Sequence, residues 1–251
     1  MNSNNLVSII VTTFNSEKFI HKTISSIFSQ SYKNWELIIV DDFSQDNTAN
    51  ILNKTLKGIK TVKIFYNKKN IGCNESRNLG IKNSKGRFIA FLDHDDYWLP
   101  DKLKLQLEFH SNLYCSASCT AYRRFNKKGN IGKLIKNPMT IKRYDLLLQN
   151  NIGFSSVMID KFKIKNFNMI NYSLSDFPTW LNLINNKHSF LALNQDLMRY
   201  FYDNSTDSNN KFKIAGQRWH VLRKIESISI IESSFIMAIY VIKSILKYRS
   251  L

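Results

Sequence analysis

Four short apolar runs, each long enough for one buried β-strand, constrain the first part of the chain. They occupy residues 7–11, 36–40, 62–66 and 87–92. Segments with the spacing of amphipathic helices separate them: residues 17–28, a segment that opens at Ser44 or Asp46, and a segment after Gly72. Strands that alternate with helices predict an α/β fold with a Rossmann-like, doubly wound, mostly parallel sheet. Such sheets bind ligands beyond the carboxyl ends of their strands, here residues 12–15, 41–42 and 93–96.

The remainder of the 251-residue chain alternates less regularly. Residues 103–109 and 176–184 have helical spacing, and residues 114–125 have the character of a strand. Residues 212–248 have the pattern of one long or broken helix, apolar on one side and basic on the other. We therefore predict one domain of residues 1–210, divided near residue 100, and a C-terminal helical tail of residues 211–251.

Charge and cysteine content narrow the class of protein. The formal net charge of +17 favours polyanionic partners: nucleic acid, anionic lipid headgroups or phosphorylated substrates. A general enrichment in lysine without a functional cause is the alternative. The cysteines Cys73, Cys115 and Cys119 have no CxxC spacing, which favours reduced thiols in a cytosolic protein. Neither a signal peptide nor an apolar run of membrane-spanning length is visible, so we expect a soluble or peripheral protein.

Three carboxylates, Asp93, Asp95 and Asp96, follow the fourth apolar run directly. Carboxylates at this spacing repel one another unless a cation neutralises them. Mg²⁺ or Mn²⁺, held by one or two carboxylates plus a diphosphate, is the natural partner. A turn that merely uses aspartate is the alternative, but a cluster at the end of a buried strand favours the metal–diphosphate site.

Four stretches together resemble a known family. They are VSIIVTTFNSEKFI from Val7, WELIIVDDFSQDNT from Trp35, NIGCNESRNLGIKNSKGRFIAFLDHDDYWLPDKL from Asn70 and, more loosely, SDFPTWL from Ser175. In this order the chain resembles the family 2 glycosyltransferases, which have the GT-A fold. The resemblance is close over the first hundred residues and thinner beyond them. It implies that residues 1–100 bind a nucleotide-sugar and that residues 101–210 bind an acceptor.

The resemblance also implies roles in a donor site. Thr12 and Phe14 would lie at the nucleotide base, Asn15 would belong to the same donor site, and Asp41 would accept a hydrogen bond from a uracil ring. The alternative for Thr12 and Asn15 is that they only form the turn after the first strand.

Further donor and metal roles follow from the third stretch. Arg77 would approach the base or the diphosphate, unless it pairs with Glu75 on its own helix. Asp93 would lie at the ribose or the donor sugar, Asp95 would coordinate Mn²⁺ or Mg²⁺, and Asp96 would support the donor site from beside it. For His94, a contact with solvent or with the donor sugar is favoured over a metal ligand.

The family places its catalytic base at the second position of an acidic pair before a helix that contains a tryptophan. That position is Asp176 here, although Ser175 replaces the first acid. The alternative is that Asp176 only caps a helix whose first turn holds Pro178. Trp180 would pack under the acceptor sugar or lie in the core.

Taken together, these residues predict an inverting, metal-dependent transferase. It would move a hexose or N-acetylhexosamine, with glucose, galactose or GlcNAc favoured, from a UDP-sugar to a polyprenyl-diphosphate-linked saccharide. Residues 197–219 resemble the loop and helix of members that build teichuronic acid, capsule or O-antigen. In this chain Arg199 follows a strand-like segment at residues 190–193, and the usual Arg-x-His of that loop is absent.

The tail combines apolar periodicity with positive charge. The apolar positions are Ile225, Ile228, Ile231, Phe235, Ile239, Ile242 and Leu246, and the basic positions are Arg218, Arg223, Lys224, Lys243, Lys247 and Arg249. Such a helix can lie on an anionic membrane, which would make the enzyme peripheral at the cytoplasmic face of the cell membrane. The alternative is that its apolar side packs on the catalytic domain or on a second subunit of a homodimer.

Two rival functions are weaker. A sugar-phosphate nucleotidyltransferase would need a glycine-rich basic loop after the first strand, and residues 12–15 contain neither glycine nor a basic residue. A nucleic-acid-binding protein is suggested only by the charge, and the basic residues are spread along the chain instead of forming one stripe.

Overall fold

A computed structural model describes residues 5–172, 176–203 and 211–248, with only the backbone at residues 211–213 and 245–248. The described residues form a sheet with the strand order β3-β2-β1-β4-β8-β6-β9-β5, and β7 pairs with β6. The strands are β1 (Val7–Thr13), β2 (Trp35–Asp41), β3 (Val62–Tyr66), β4 (Phe88–Asp93), β5 (Tyr97–Trp98), β6 (Ala117–Phe125), β7 (Ile131–Ile135), β8 (Met158–Asp160) and β9 (Phe190–Phe201).

The parallel half of the sheet matches the prediction from the apolar runs. β1 pairs in parallel with β2 and β4, and β2 pairs in parallel with β3. The strands are largely apolar because helices cover both faces of the sheet. Along β1, Ile9 and Val11 belong to the core on one face, whereas Ile10 belongs to the core on the other.

Three helices connect these strands: α1 (Ile20–Phe28), α2 (Thr48–Leu56) and α3 (Cys73–Lys82). Asp46 precedes α2 and accepts a hydrogen bond from the Thr48 amide at 2.9 Å. α3 packs so closely on β1 that a Cβ at Gly80 would lie 2.7 Å from Ile10 Cγ2. Gly80 therefore sets the distance between α3 and the sheet.

The second half of the sheet is mixed. β8 runs antiparallel to β4 and β6, β9 runs parallel to β6, and β5 runs antiparallel to β9. β9 is longer than the predicted strand at residues 190–193, because β6 pairs along its length and β5 pairs with its end. The helices here are α4 (Lys102–Leu113), α5 (Arg143–Leu148) and α6 (Phe177–Asn185), with a 3₁₀ turn at Phe154–Ser156.

The tail is a broken helix. α7 (Lys211–His220) continues into a π-helical turn at Val221–Ile225, and α8 (Ile230–Tyr248) follows the bend. Ser227 in the bend has a left-handed backbone with φ of 53°. Over the three described ranges, no helix combines the length and the apolar character needed to cross a membrane.

Candidate active site

The carboxyl ends of β1, β2 and β4 meet at one edge of the sheet. In the register of these strands, Thr13 pairs with Asp41 and Thr12 pairs with Asp93. The predicted donor residues of the first hundred positions therefore converge, as the rule for parallel sheets requires. Thr12 is 7% exposed and lies in the strand between the two acids.

Asp41 is held inside this edge by three hydrogen bonds. Its Oδ1 accepts from Thr13 Oγ1 at 2.8 Å and from Ser44 Oγ at 2.5 Å, and its Oδ2 accepts from the Ser44 amide at 3.1 Å. The residue is only 3% exposed. Its carboxylate therefore fixes the loop after β2, and its contact with a uracil ring stays a prediction.

Asn15 ties the loop after β1 to the loop after β2. Its amide donates to Ser44 Oγ at 2.9 Å, and its Oδ1 accepts from the Gln45 amide at 2.8 Å. The left-handed backbone of Asn15, with φ of 49°, matches the turn alternative. Phe14 and Phe43 are 44% exposed on these two joined loops, and Phe43 also has a positive φ of 68°. Sequence reasoning selected Phe14 but missed Phe43, whose backbone conformation leaves no mark in the sequence.

Arg77 is fixed by Asp93 and not by Glu75. Its Nη2 donates to Asp93 Oδ1 at 2.8 Å, its Nη1 donates to Asn74 Oδ1 at 3.0 Å, and its guanidinium lies 3.5 Å from the centre of the Phe154 ring. Burial lowers the pKa of Arg77, but Asp93 and further acidic groups raise it more, so the side chain stays charged. The alternative that Arg77 pairs with Glu75 is therefore wrong. Arg77 is a buried cation beside the turn at residues 93–96, called the acidic turn below.

Asp96 is the buried carboxylate of that turn. It is 1% exposed, and its two carboxylate oxygens accept from Ser155 Oγ at 2.6 Å and from the Phe201 amide at 2.7 Å. Burial, Asp95 and Asp93 raise its pKa well above the usual range. With both oxygens bonded inside the protein, Asp96 has no surface for direct contact with a donor, and its support of the site from beside it stays a prediction.

Ser155 joins the acidic turn to the second half of the molecule. Its hydroxyl oxygen accepts from the Asp93 amide at 2.9 Å while its hydroxyl donates to Asp96. Sequence reasoning missed Ser155 and Phe154 because the 3₁₀ turn that carries them has no motif, and only the pairing of β8 with β4 brings it to the site.

The turn at residues 93–96 offers carboxylate oxygens, the type of ligand that Mg²⁺ and Mn²⁺ prefer. Within the described ranges, no group of three or more His, Cys, Asp or Glu side chains is placed to hold a metal ion, so the protein alone would supply at most one or two ligands. Burial raises the pKa of Asp95, His94 opposes this shift and Asp93 adds to it. A cation bound at Asp95 would favour the charged carboxylate. Mg²⁺ is commonly held by one or two carboxylates together with substrate phosphates. Asp95 would be that carboxylate.

Asp176 immediately precedes α6, and its carboxylate does not cap the helix. Instead its Oδ2 accepts a hydrogen bond from Trp180 Nε1 at 2.6 Å. Burial raises the pKa of Asp176 to about 6, against the opposing effects of the Trp180 hydrogen bond and of Arg77. A carboxyl with this pKa is suited to accept a proton near neutral pH. Ser175, the other half of the predicted pair, lies outside the described residues.

Trp180 is a core residue, which corrects the predicted acceptor contact. It is 0% exposed, lies 6.2 Å from Phe154 in a stacked arrangement and meets Phe190 edge-on at 5.7 Å. A ring without accessible surface has no face to offer a sugar. Its effect on the site passes through the hydrogen bond to Asp176.

A cavity of ≈ 270 Å³ joins these groups. Asp176, Arg77 and Asp93 line it together with side chains from the second half and the tail: Tyr122, Arg124, Gln149, Asn150, Tyr200, Tyr240 and Ser244. Arg199, by contrast, is paired with Asp196 within β9. The polar loop predicted at residues 205–208, within the stretch 197–219, lies outside the described residues. The site thus has an acidic turn, a buried cation and a carboxyl with a raised pKa around one polar cavity.

The model of the family described as "Glycosyl transferase family 2" matches residues 8–174. This range includes the acidic turn and the strands that carry it. The chain belongs to glycosyltransferase family 2. As a member of this family it is a glycosyltransferase, and neither rival function is retained.

Two bacterial relatives span nearly the same length. TuaG of Bacillus subtilis, named for teichuronic acid biosynthesis, is 35% identical over 237 residues, which are 94% of each chain. WfgD of Escherichia coli, named as a UDP-Glc:alpha-D-GlcNAc-diphosphoundecaprenol beta-1,3-glucosyltransferase, is 34% identical over 220 residues, which are 86% of this chain and 85% of that one.

Solved structures of other glycosyltransferases share the fold. TarS of S. aureus in complex with UDP-GlcNAc superposes with a TM-score of 0.70 at 17% identity, over 94% of this chain and 71% of that chain. The mannosyltransferase PcManGT of Pyrobaculum calidifontis, in complex with GDP-Man and Mn²⁺, has a TM-score of 0.62 at 14% identity, over 86% and 61%. The predicted GT-A fold with C-terminal helices is therefore confirmed for this family 2 member.

Proposed function

We propose that this glycosyltransferase moves a hexose or N-acetylhexosamine from a UDP-sugar to a saccharide on a polyprenyl diphosphate, with inversion and with a divalent cation. The observation that carries the proposal is the Asp176 carboxyl. Its raised pKa, its position before α6 and its place in a cavity shared with Arg77 and Asp93 suit a group that takes a proton beside a nucleotide site.

The donor would lie along the carboxyl ends of the parallel strands. Its base would contact the joined loops that expose Phe14 and Phe43, near Thr12, Asn15 and the buried Asp41. The exposed aromatic rings offer stacking surface, and the loops are held by the hydrogen bonds of Asn15. Arg77 and Asp95 would stand at the diphosphate, and Asp93 at the ribose or the donor sugar.

The chemistry follows from the charges. The Asp176 carboxylate would accept the proton of the acceptor hydroxyl as that oxygen attacks the anomeric carbon, a contribution of roughly 10²- to 10⁴-fold in rate. Because one displacement occurs, the anomeric configuration is inverted. Mn²⁺ or Mg²⁺, held by Asp95, would act as a Lewis acid that stabilises the departing diphosphate. Arg77 adds a fixed positive charge that needs no reorganisation during the reaction.

The activities for which two relatives are named suggest the substrates. WfgD and WfaP of Escherichia coli are both named for transfer of glucose from UDP-Glc to GlcNAc on diphosphoundecaprenol. Glucose is therefore the first donor sugar to test, with galactose and GlcNAc after it. The product would enter a surface polysaccharide such as teichuronic acid, capsule or O-antigen.

A lipid-linked acceptor places the enzyme at a membrane surface. α8 presents exposed apolar side chains, and the chain carries a net charge of +17, so an anionic cytoplasmic membrane face is the proposed location. Assembly as a homodimer through the same helix is the competing use of that surface.

A panel of nucleotide sugars tests the proposal. Purified enzyme with Mn²⁺ is incubated with UDP-Glc, UDP-Gal, UDP-GlcNAc or GDP-Man and a synthetic lipid-diphosphate GlcNAc. Products are identified by mass spectrometry, and the anomeric configuration of the new linkage is determined by NMR. We expect extension of the acceptor by one sugar from a UDP donor, with the opposite anomeric configuration. Extension only from GDP-Man, or a product that retains the configuration, would contradict it.

A further inference from the structure

The tail helix α8 has two different apolar sides. One side faces outward, where Ile231, Phe235 and Ile242 are 84%, 61% and 59% exposed. The other side faces the catalytic domain, where Ile236 is fully buried. Further along this inner side, Tyr240 and Ser244 line the cavity that contains Asp176.

The buried cation Arg218 fixes Tyr240 relative to Asp176. The Arg218 guanidinium lies 4.3 Å from the centre of the Tyr240 ring and 4.5 Å from that of Phe177, the residue that follows Asp176. Its Nη2 donates to the carbonyl oxygens of Leu146 and Leu147 at the end of α5, at 2.7 and 2.5 Å. Arg218 is only 7% exposed, so it holds α5, α6 and α8 together. The sequence analysis had counted it among the basic residues of the tail surface, and its burial corrects that prediction.

We infer that Tyr240, with Ser244, forms the tail-side wall of the acceptor subsite and helps to determine which terminal sugar of the acceptor is used. The inference rests on the proposed function, which makes Asp176 the base that the acceptor hydroxyl must reach. A hydroxyl within hydrogen-bonding distance of Asp176 places its sugar in this cavity, and the cavity's ≈ 270 Å³ leaves room for about one sugar unit.

The chemistry of the wall suits a sugar. An aromatic ring offers an apolar surface to the C–H groups of a pyranose, while Gln149 and Asn150 on the same cavity offer hydrogen bonds to its hydroxyls. Because the Arg218 guanidinium packs against the Tyr240 ring, the ring is held in place before the acceptor binds. A prepositioned contact of this kind lowers the ordering cost of binding.

Kinetics on a water-soluble, short-chain lipid-diphosphate GlcNAc test the inference without a membrane. The variants are Tyr240→Ala and Tyr240→Trp, and the control is Tyr144→Ala, which removes a 52% exposed tyrosine on α5 that does not line the cavity. We expect Tyr240→Ala to raise the acceptor KM about tenfold or more, with the donor KM and UDP release without acceptor within twofold of the parent. The control should leave the acceptor KM within twofold.

Tyr240→Trp keeps an aromatic contact for Arg218 and narrows the cavity. It therefore tests the role of Tyr240 even if the alanine variant does not fold. We expect it to change the ratio of rates on GlcNAc and GalNAc acceptors at least fivefold. Unchanged acceptor KM and unchanged acceptor preference in folded variants would show that Tyr240 only packs the tail. Absence of transfer by the unmodified enzyme would contradict the proposed function instead.

Discussion

The carboxylate of Asp176 accepts a hydrogen bond from the indole of Trp180, which lies one helical turn later in the chain. The sequence predicted Asp176 as the base but left Trp180 between the core and the acceptor. Its burial against Phe154 and Phe190 decides for the core. Those partners come from a 3₁₀ turn and from β9, and their approach depends on strand pairing that no local motif encodes.

The Trp180 hydrogen bond should set the pH at which Asp176 becomes active. Asp176 acts as a base only when it is deprotonated, so turnover should fall as the pH drops below its pKa of about 6. Trp180→Phe removes the hydrogen bond that lowers this pKa, so the acidic limb of the kcat profile should move to higher pH. The measurement is kcat from pH 4.5 to 8.5.

Asp176→Asn is the control for that profile. It keeps the acceptor oxygen for Trp180 but cannot take a proton, so turnover should fall roughly 10²- to 10⁴-fold at every pH. Its thermal unfolding midpoint should not fall, because burial disfavours the charged carboxylate that it replaces. An unshifted limb in Trp180→Phe, or near-parental turnover in Asp176→Asn, would leave Asp176 without the role of base.

At the scale of elements, the order and direction of the strands were predictable in the first half of the molecule. In the second half only single elements were: the helices predicted at residues 103–109 and 176–184 and the strand predicted at residues 114–125 correspond to α4, α6 and β6. β1 to β4 were predicted from apolar runs, which helices cover on both faces. The motifs at the ends of these strands identified the site residues in their order along the chain. β5, β6, β8 and β9 are short or irregular, and their mixed directions are set by pairing between distant segments. The tail was predicted as a long or broken helix, and the structure shows the break at residues 226–229.

The outward side of α8 should bind an anionic membrane. Replacing Ile231 and Phe235 by serine removes exposed apolar surface while the buried side of the helix stays intact. We expect this double variant to lose most of its flotation with anionic vesicles at low salt, whereas Ile131→Ser, which alters a 54% exposed isoleucine on β7, should float like the parent. Deletion from Glu226 is less informative, because the buried Ile228 and Ile236 would also be lost.

Salt should weaken binding by the intact protein, since each basic residue near the surface contributes about 1 kcal/mol and is screened by ions. Among the tail side chains that the structure describes, Lys224 and Lys243 are exposed basic residues, whereas Arg218 is buried. The side chains of Leu246 and Lys247, and the whole of Arg249, lie outside the described part of the chain. If the intact protein does not float with anionic vesicles even at low ionic strength, the outward side is a contact with a second subunit instead.

For the whole molecule, one continuous sheet carries both halves of the site. The parallel strands bring the acidic turn and Arg77 to one edge, and β8, β6 and β9 extend the sheet toward Asp176 and the cavity. Ser155 connects the two halves by binding both Asp93 and Asp96. The part of the site proposed to bind the donor could be predicted because its residues follow their strands directly. The part proposed to bind the acceptor depends on the packing of α6 and the tail.

Dependence on a divalent cation tests the central claim most directly. The roles proposed for the acidic turn, for the diphosphate donor and for the displacement all require a bound cation. Transfer from the active UDP-sugar to the lipid-diphosphate acceptor is measured with Mn²⁺, with EDTA, and with EDTA followed by excess Mn²⁺ or Mg²⁺. We expect EDTA to abolish transfer and the added ion to restore it, and Asp95→Ala to lose about a thousandfold in rate while remaining folded, since a bound cation contributes several kcal/mol. Full transfer in EDTA, or by Asp95→Ala, would contradict the account.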